Sequence, residues 1–215
     1  MKPEDLAFWE QLSARGRDAI ARGAQRLLFE DSQQLIARGD EVAGAYFVMS
    51  GALRVYYVNA EGREGTLYWV DRGQPCILAL NCAFLHLPYP AWVESEGASE
   101  VLLIPGGAYR ELFSAEPSMQ RFTFEALSTR LFELMALMEE TASRGLEARM
   151  AAFLLRRCGA DRTLLMTQEQ IANHLATSRE VVSRILRGFV RAGWIEARPV
   201  QVRILDAEQL SRLRE

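Results

Sequence analysis

Between residues 26 and 105, apolar and polar positions alternate in short runs broken by Gly, Asp and Asn, the period-two pattern of half-buried strands. Candidate strands fall at 26–30, 33–37, 45–50, 52–59, 64–70, 75–80, 91–96 and 99–104, with Asn59-Ala-Glu-Gly62 as a turn between two of them. Many short strands at even spacing imply a sandwich or barrel. Residues 4–25 read as helical. From Pro117 the period changes: Phe124, Leu127, Leu131, Leu134, Met138 and Thr141 recur three and four apart, the a/d seam of a two-stranded coiled coil. Phe122, Ala126, Phe132 and Met135 lie off that stripe and are expected to cover the sandwich.

The pattern over 167–195 predicts two short helices and a turn. Thr167 is an N-cap with Gln170 three residues on, a capping-box spacing, and the first helix runs to about Leu175. Ala176 and Thr177 turn the chain, Ser178 caps a second helix ending near Ala192, and Gly193 stops it. Ile171, Leu175, Val182, Ile185, Leu186 and Phe189 face inward at helical spacing, leaving Arg179, Glu180, Ser183, Arg184 and Arg187 on another face. Arginine forks match guanine edges and phosphates, and a carboxylate accepts from cytosine, so a helix opening with these groups suits a major groove. An ordinary helical hairpin with a solvated charged face is the competing reading. Downstream, Trp194-Ile-Glu-Ala and Gln201-Val-Arg-Ile flank Arg198-Pro199 as a two-stranded wing, and Asp206 caps a last short helix.

Charge is distributed unevenly. Residues 142–215 carry 13 arginines against 8 acids, whereas residues 1–141 carry 12 basic against 20 acidic residues, within a net charge of −3. A basic module on an acidic body suits a protein that presents one end to nucleic acid. The chain has no apolar run long enough to span a bilayer and no signal-peptide pattern, so a cytoplasmic protein without a membrane partner is expected. Three cysteines do not suggest a disulfide-stapled fold.

The runs Thr177-Ser-Arg-Glu-Val-Val-Ser-Arg-Ile-Leu186, Arg191-Ala-Gly-Trp-Ile195 and Val202-Arg-Ile-Leu-Asp206 resemble the CRP/FNR superfamily of bacterial transcription regulators. Gly44-Ala-Tyr-Phe-Val-Met-Ser-Gly-Ala-Leu-Arg-Val-Tyr56 resembles its first sensor hairpin. Ala91-Trp-Val93 with Glu100-Val-Leu-Leu-Ile-Pro105 resembles its last two strands, and Leu146-Glu-Ala-Arg-Met-Ala-Ala-Phe-Leu-Leu155 the helix opening its DNA-binding domain. The resemblance implies an α+β chain: a double-stranded β-helix (jelly-roll) sensor over 1–115, a dimerisation helix over 116–143, and a winged helix-turn-helix over 144–215, with Gly145 as a hinge. It also implies a parallel homodimer, through Phe124, Leu127, Leu131, Leu134 and Met138, on palindromic double-stranded DNA, and contact with RNA polymerase. Arg179, Glu180 and Arg184, supported by Ser183 beside the Ser178 cap, would read a TGA-like half-site, while Thr167, Gln168 and Arg187 touch phosphate. The family usually has glycine where this chain has Ala176. The rival function is a jelly-roll ligand-binding or catalytic protein whose winged helix serves protein contacts.

Chemistry in the sensor is sparse. His86 and His174 fall in different domains, so no histidine-rich metal site can assemble, and no Ser/His/Asp, Cys/His or phosphate-loop arrangement is present; neither an enzyme nor a metal site is expected. Cyclic-nucleotide-binding relatives place an arginine-bearing pair just before the alanine matched by Ala91; here that pair is Tyr89-Pro90, so cyclic AMP is not the expected ligand. No cysteine precedes Cys76, which argues against the iron–sulfur cluster of the oxygen-sensing branch. Three readings of the sensor stay open: a redox pair formed by Cys76 and Cys82 against two buried core thiols; haem held by Cys76 or His86; and an apolar ligand bounded by Tyr89, Trp92 and the long helix.

Overall fold

The computed structural model describes residues 3–143 and 145–213. Two short 3-10 turns, Pro3–Asp5 and Trp9–Gln11, precede α1 (Ala14–Gly23), so the expected N-terminal helix is broken into three pieces. The strands β1 (Gln25–Phe29), β2 (Gln34–Ile36), β3 (Gly44–Ser50), β4 (Ala52–Val58) and β5 (Glu64–Asp71) follow. Then come α2 (Ile77–Leu85), β6 (Trp92–Ser95), β7 (Ser99–Pro105), α3 (Gly106–Ala115) and α4 (Pro117–Ser143). The strands form two antiparallel sheets, ordered β1-β7-β3 and β2-β6-β4-β5, the two walls of a double-stranded β-helix.

Strand β3 explains how two cores are built from one wall. Its residues from Gly44 to Met49 are all buried, because both faces of its sheet are covered. Tyr46 and Val48 point between the sheets with Val101, Leu103, Leu53, Val55, Val93, Tyr68 and Val70. Ala45, Phe47 and Met49 point the other way, onto Phe8, Ile20, Leu80, Tyr109, Leu112 and Met119 from the helical layer. Tyr46 pairs with Leu103 and Val48 with Val101, and a one-residue irregularity before Ser50 ends the ladder. Gly51 then turns the chain at φ +73°, and a Cβ there would sit 2.2 Å from the Ser99 hydroxyl. Gly51→Ala combines a left-handed backbone with a clash, and is expected to cost about 2 kcal/mol or more of stability, read as a lower denaturant midpoint.

The candidate strand at 75–80 is instead the start of α2. An apolar run has the same appearance in a buried strand and a buried helix, and length arbitrates. This run continues through Leu85, too long for a strand between two sheets, and is rich in Ala and Leu, which favour helix. Ile77 and Leu80 enter the helical-layer core while Cys76, Ala79 and Cys82 enter the inter-sheet core.

The inward stripe of α4 is Met119, Thr123, Arg130 and the half-buried Phe122, Ala126, Leu127 and Leu134. Its exposed apolar residues are Phe124, Leu131, Phe132, Met135 and Met138. This differs in phase from the sequence reading. Leu127 and Leu134, assigned to the seam, lean onto the sandwich, whereas Phe132 and Met135, expected to cover it, are exposed. Thr141 and Arg144 lie outside the residues whose side chains are described.

The chain forms two compact units, one of Met1–Tyr57 with Leu67–Leu134 and one of Val58–Thr66 with Met135–Glu215. The second unit contains α5 (Leu146–Arg157), begun by Gly145 as N-cap, then β8 (Thr163–Leu164), α6 (Gln168–His174), α7 (Arg179–Arg191), β9 (Ile195–Arg198), β10 (Gln201–Ile204) and α8 (Ala207–Arg212). The wing is three-stranded, ordered β8-β10-β9; the two-residue β8 is too short to carry a sequence signal. Among the described residues no helix is long and apolar enough to cross a membrane.

Candidate nucleic-acid interface

Helix α6 is opened by the expected capping box. The Thr167 hydroxyl accepts from the Gln170 amide at 3.2 Å, and the Gln170 side-chain oxygen accepts from the Thr167 amide at 2.8 Å. Ile171 and Ala172 are buried, and the Arg149 guanidinium of α5 donates to the Leu175 carbonyl. The turn places Ala176 at φ +52°. This left-handed conformation costs alanine about 1–2 kcal/mol. Glycine would relieve it at an unfolded-state entropy cost of about 0.4–1 kcal/mol. Ala176→Gly is therefore expected to raise stability by about 0.5–1 kcal/mol, measurable as a higher thermal midpoint.

Ser178 caps α7, its hydroxyl accepting from the Val181 amide, and Gly193 at φ +75° ends the helix. Val182, Ile185, Leu186 and Phe189 are buried, and Phe189 packs its ring against Trp194 at 5.5 Å. Anchoring this face leaves Arg179, Glu180, Arg184 and Arg187 exposed together, with Ser183 half-buried between them. Thr167 and Gln168 sit half-buried at the start of α6. The Glu180 carboxyl is held below the usual range, first by its own backbone amide at the helix start and then by the Ser178 hydroxyl. It is ionised at neutral pH and available as an acceptor.

A second polar face was overlooked in the sequence, although the alternation at 195–204 carries it. In the wing, Ile195, Val202 and Ile204 are buried, and their alternates Glu196, Arg198, Gln201 and Arg203 line one shallow surface depression. Arg203 pairs with Glu196 and Gln201 with Arg198 across the two strands.

The candidate effector residues do not form one site. Tyr89 and Cys76 are fully buried between the sheets, with the Tyr89 hydroxyl 3.5 Å from the Cys76 sulfur. Trp92 lies on the opposite face of its sheet, stacked on Tyr56 at 6.1 Å with the Arg38 guanidinium over its ring. It cannot bound an interior ligand, because alternate residues of a strand face opposite sides. Cys76 caps α2 and Cys82 lies six residues on in the same helix, its thiol toward the Pro88 carbonyl. Six helical residues span about 9 Å. A disulfide needs its Cα atoms within about 7 Å, so these two cannot bridge without unwinding α2. Burial also pushes both thiols up, which disfavours the reactive thiolate. The geometry fits two packed core thiols. His86 ends α2 as an exposed left-handed cap, and Cys158 caps the C-terminus of α5.

The long helix also contributes to the interior. The Arg130 guanidinium lies 4.2 Å over the Tyr68 ring, pairs with Glu133 and reaches the Gln74 side-chain oxygen at 3.4 Å.

Comparison with known proteins agrees with this arrangement. Residues 26–116 match the cyclic nucleotide-binding domain and residues 148–213 the Crp-like helix-turn-helix domain. The chain is 26% identical over 205 residues to the transcriptional activator protein FnrA of Stutzerimonas stutzeri, covering 91% of this chain and 82% of that protein. It is 24% identical over 219 residues to the transcriptional activator protein anr of Pseudomonas aeruginosa, covering 98% and 84%. A solved structure assigned to the crp/fnr family, from Eubacterium rectale, superimposes with a TM-score of 0.86 at 28% identity, covering 97% of this chain and 98% of that one. With both halves matched in the same order as the sandwich and the helix-turn-helix, the chain belongs to the CRP/FNR family of transcription regulators, which are not enzymes.

Proposed function

We propose that the protein works in the cytoplasm as a homodimer that binds palindromic double-stranded DNA and, once bound, engages RNA polymerase. The observation that carries this reading is the exposed group Arg179, Glu180, Arg184 and Arg187 on a helix whose opposite face is anchored in a core. Arg179, Glu180 and Arg184 read base edges of a TGA-like half-site, with Ser183 in support. Thr167, Gln168, Arg187 and the wing arginines Arg198 and Arg203 meet phosphates. Dimerisation uses the exposed face of α4, namely Phe124, Leu131, Met135 and Met138 with Phe132 beside them. Two reading helices related by a two-fold axis then meet half-sites about 34 Å apart. The sandwich controls DNA binding by setting the position of α4, whose inner stripe is part of its cores.

Selection from randomised duplexes tests the reading. Symmetric sites should emerge, and affinity for them should fall with salt with a log–log slope of about −0.9 per phosphate neutralised. Recovery of no symmetric site, or a flat salt response, would refute it and favour the protein-contact alternative.

A further inference from the structure

We infer that Arg130 and Tyr68 form an internal plug that sets the position of the long helix without a soluble effector; this rests on the DNA-binding reading above. Tyr68 projects from β5 between the sheets, and its hydroxyl accepts from the Leu78 amide at the start of α2. Tyr89 and Cys76, both fully buried, share this cluster. Arg130 enters from α4, is nine-tenths buried, and lays its guanidinium over the Tyr68 ring. One edge of that cation reaches Gln74, in the turn between β5 and α2, and another pairs with Glu133 on its own helix. Its Nε has no hydrogen-bond acceptor among the described residues, so the buried cation depends on the Tyr68 ring as well as on Gln74 and Glu133 for its stabilisation. Leu134, one turn on, packs on the same interior cluster.

A flat cation held over an aromatic ring and tied at its edge to a side-chain carbonyl is a ligand-like contact. Here both halves belong to the chain. Because a ligand shifts an equilibrium only by binding one state better, a permanent contact of this kind applies its bias permanently. A soluble molecule entering between Tyr68 and α4 would have to displace a buried guanidinium, and the Tyr89-Pro90 pair offers no cation to a phosphate in return. The sandwich, α2 and the Arg130 turn of α4 are thus tied together by side chains alone, and on the reading above this is the arrangement that binds DNA. Arg130 and Tyr68 are positioning residues that touch no base.

The test uses full-length protein, unfolded and refolded to strip small molecules, and a duplex selected with untreated protein. Refolded protein should bind that duplex as tightly as before, with less than about a twofold change on adding cyclic AMP, cyclic GMP or cyclic di-GMP at millimolar concentration. Arg130→Gln and Tyr68→Leu should each weaken specific binding about tenfold or more, and the double variant no further than either alone, because they break one contact. Arg130→Lys, which keeps a cation over the ring, should recover most of the affinity. Affinity that returns only with a nucleotide overturns the plug, as does unchanged or additive behaviour of the two variants. Should Tyr68→Leu fail to fold, the refolded wild-type titration still decides. Failure to select any duplex would instead sink the DNA reading, a separate result.

Discussion

Arg184→Ala is expected to lose about 1–3 kcal/mol of base discrimination in each half-site, so a palindrome bound by both subunits should weaken at least about fivefold, and about thirtyfold or more if the halves add. The side chain is exposed on α7 and makes no core contact, so melting should move by no more than about 0.5 kcal/mol. Competition between the selected site and a scrambled duplex checks this. A base-reading role lowers specific affinity and leaves the salt slope nearly intact. Arg187→Ala should do the reverse: weaken both duplexes together and reduce the slope by about one. Equal losses on both duplexes for Arg184→Ala would move that residue to the phosphates.

Charging the outer face of α4 should have a comparably large effect. Leu131 is exposed on α4, and in the dimer proposed above Leu131→Glu would put a carboxylate opposite its own copy, where a buried unpaired charge costs about 3–5 kcal/mol. Sedimentation should then show a 24.3 kDa species in place of one twice that mass, with loss of specific DNA binding. Leu127→Ala serves as the control. It sits on the sandwich side, so it should lower stability by about 2 kcal/mol and leave the dimer intact. If the two variants exchanged behaviour, the seam would follow the phase read from the sequence.

The two helices differ in how far the sequence made their structure legible. The α7 face was legible because capping by Thr167 and Ser178, apolar spacing and the Gly193 stop all agree on one local structure. The phase of α4 was not. An a/d stripe and a stripe covering a sandwich have nearly the same spacing, and Leu127 and Leu134 satisfy either. Arg130 settles the phase physically: an arginine takes an inward position because Tyr68 and Gln74 are there to receive it, and nothing local announces that. The same limit applies to α2, whose apolar run fits two periods, and to Trp92, which is one residue out of step with the inward face of β6. Ala176 is the instructive exception. The helix-turn-helix spacing demands a left-handed residue there, and the chain adopts it despite the side chain.

Strand β3 has a further consequence. Its amides are the floor of one core and the ceiling of another, so neither the sheet pair nor the helical layer above it can open alone without stripping the same backbone. The sensor half should lose structure as one cooperative block, and β3 with its neighbour β7 should exchange its backbone protons last.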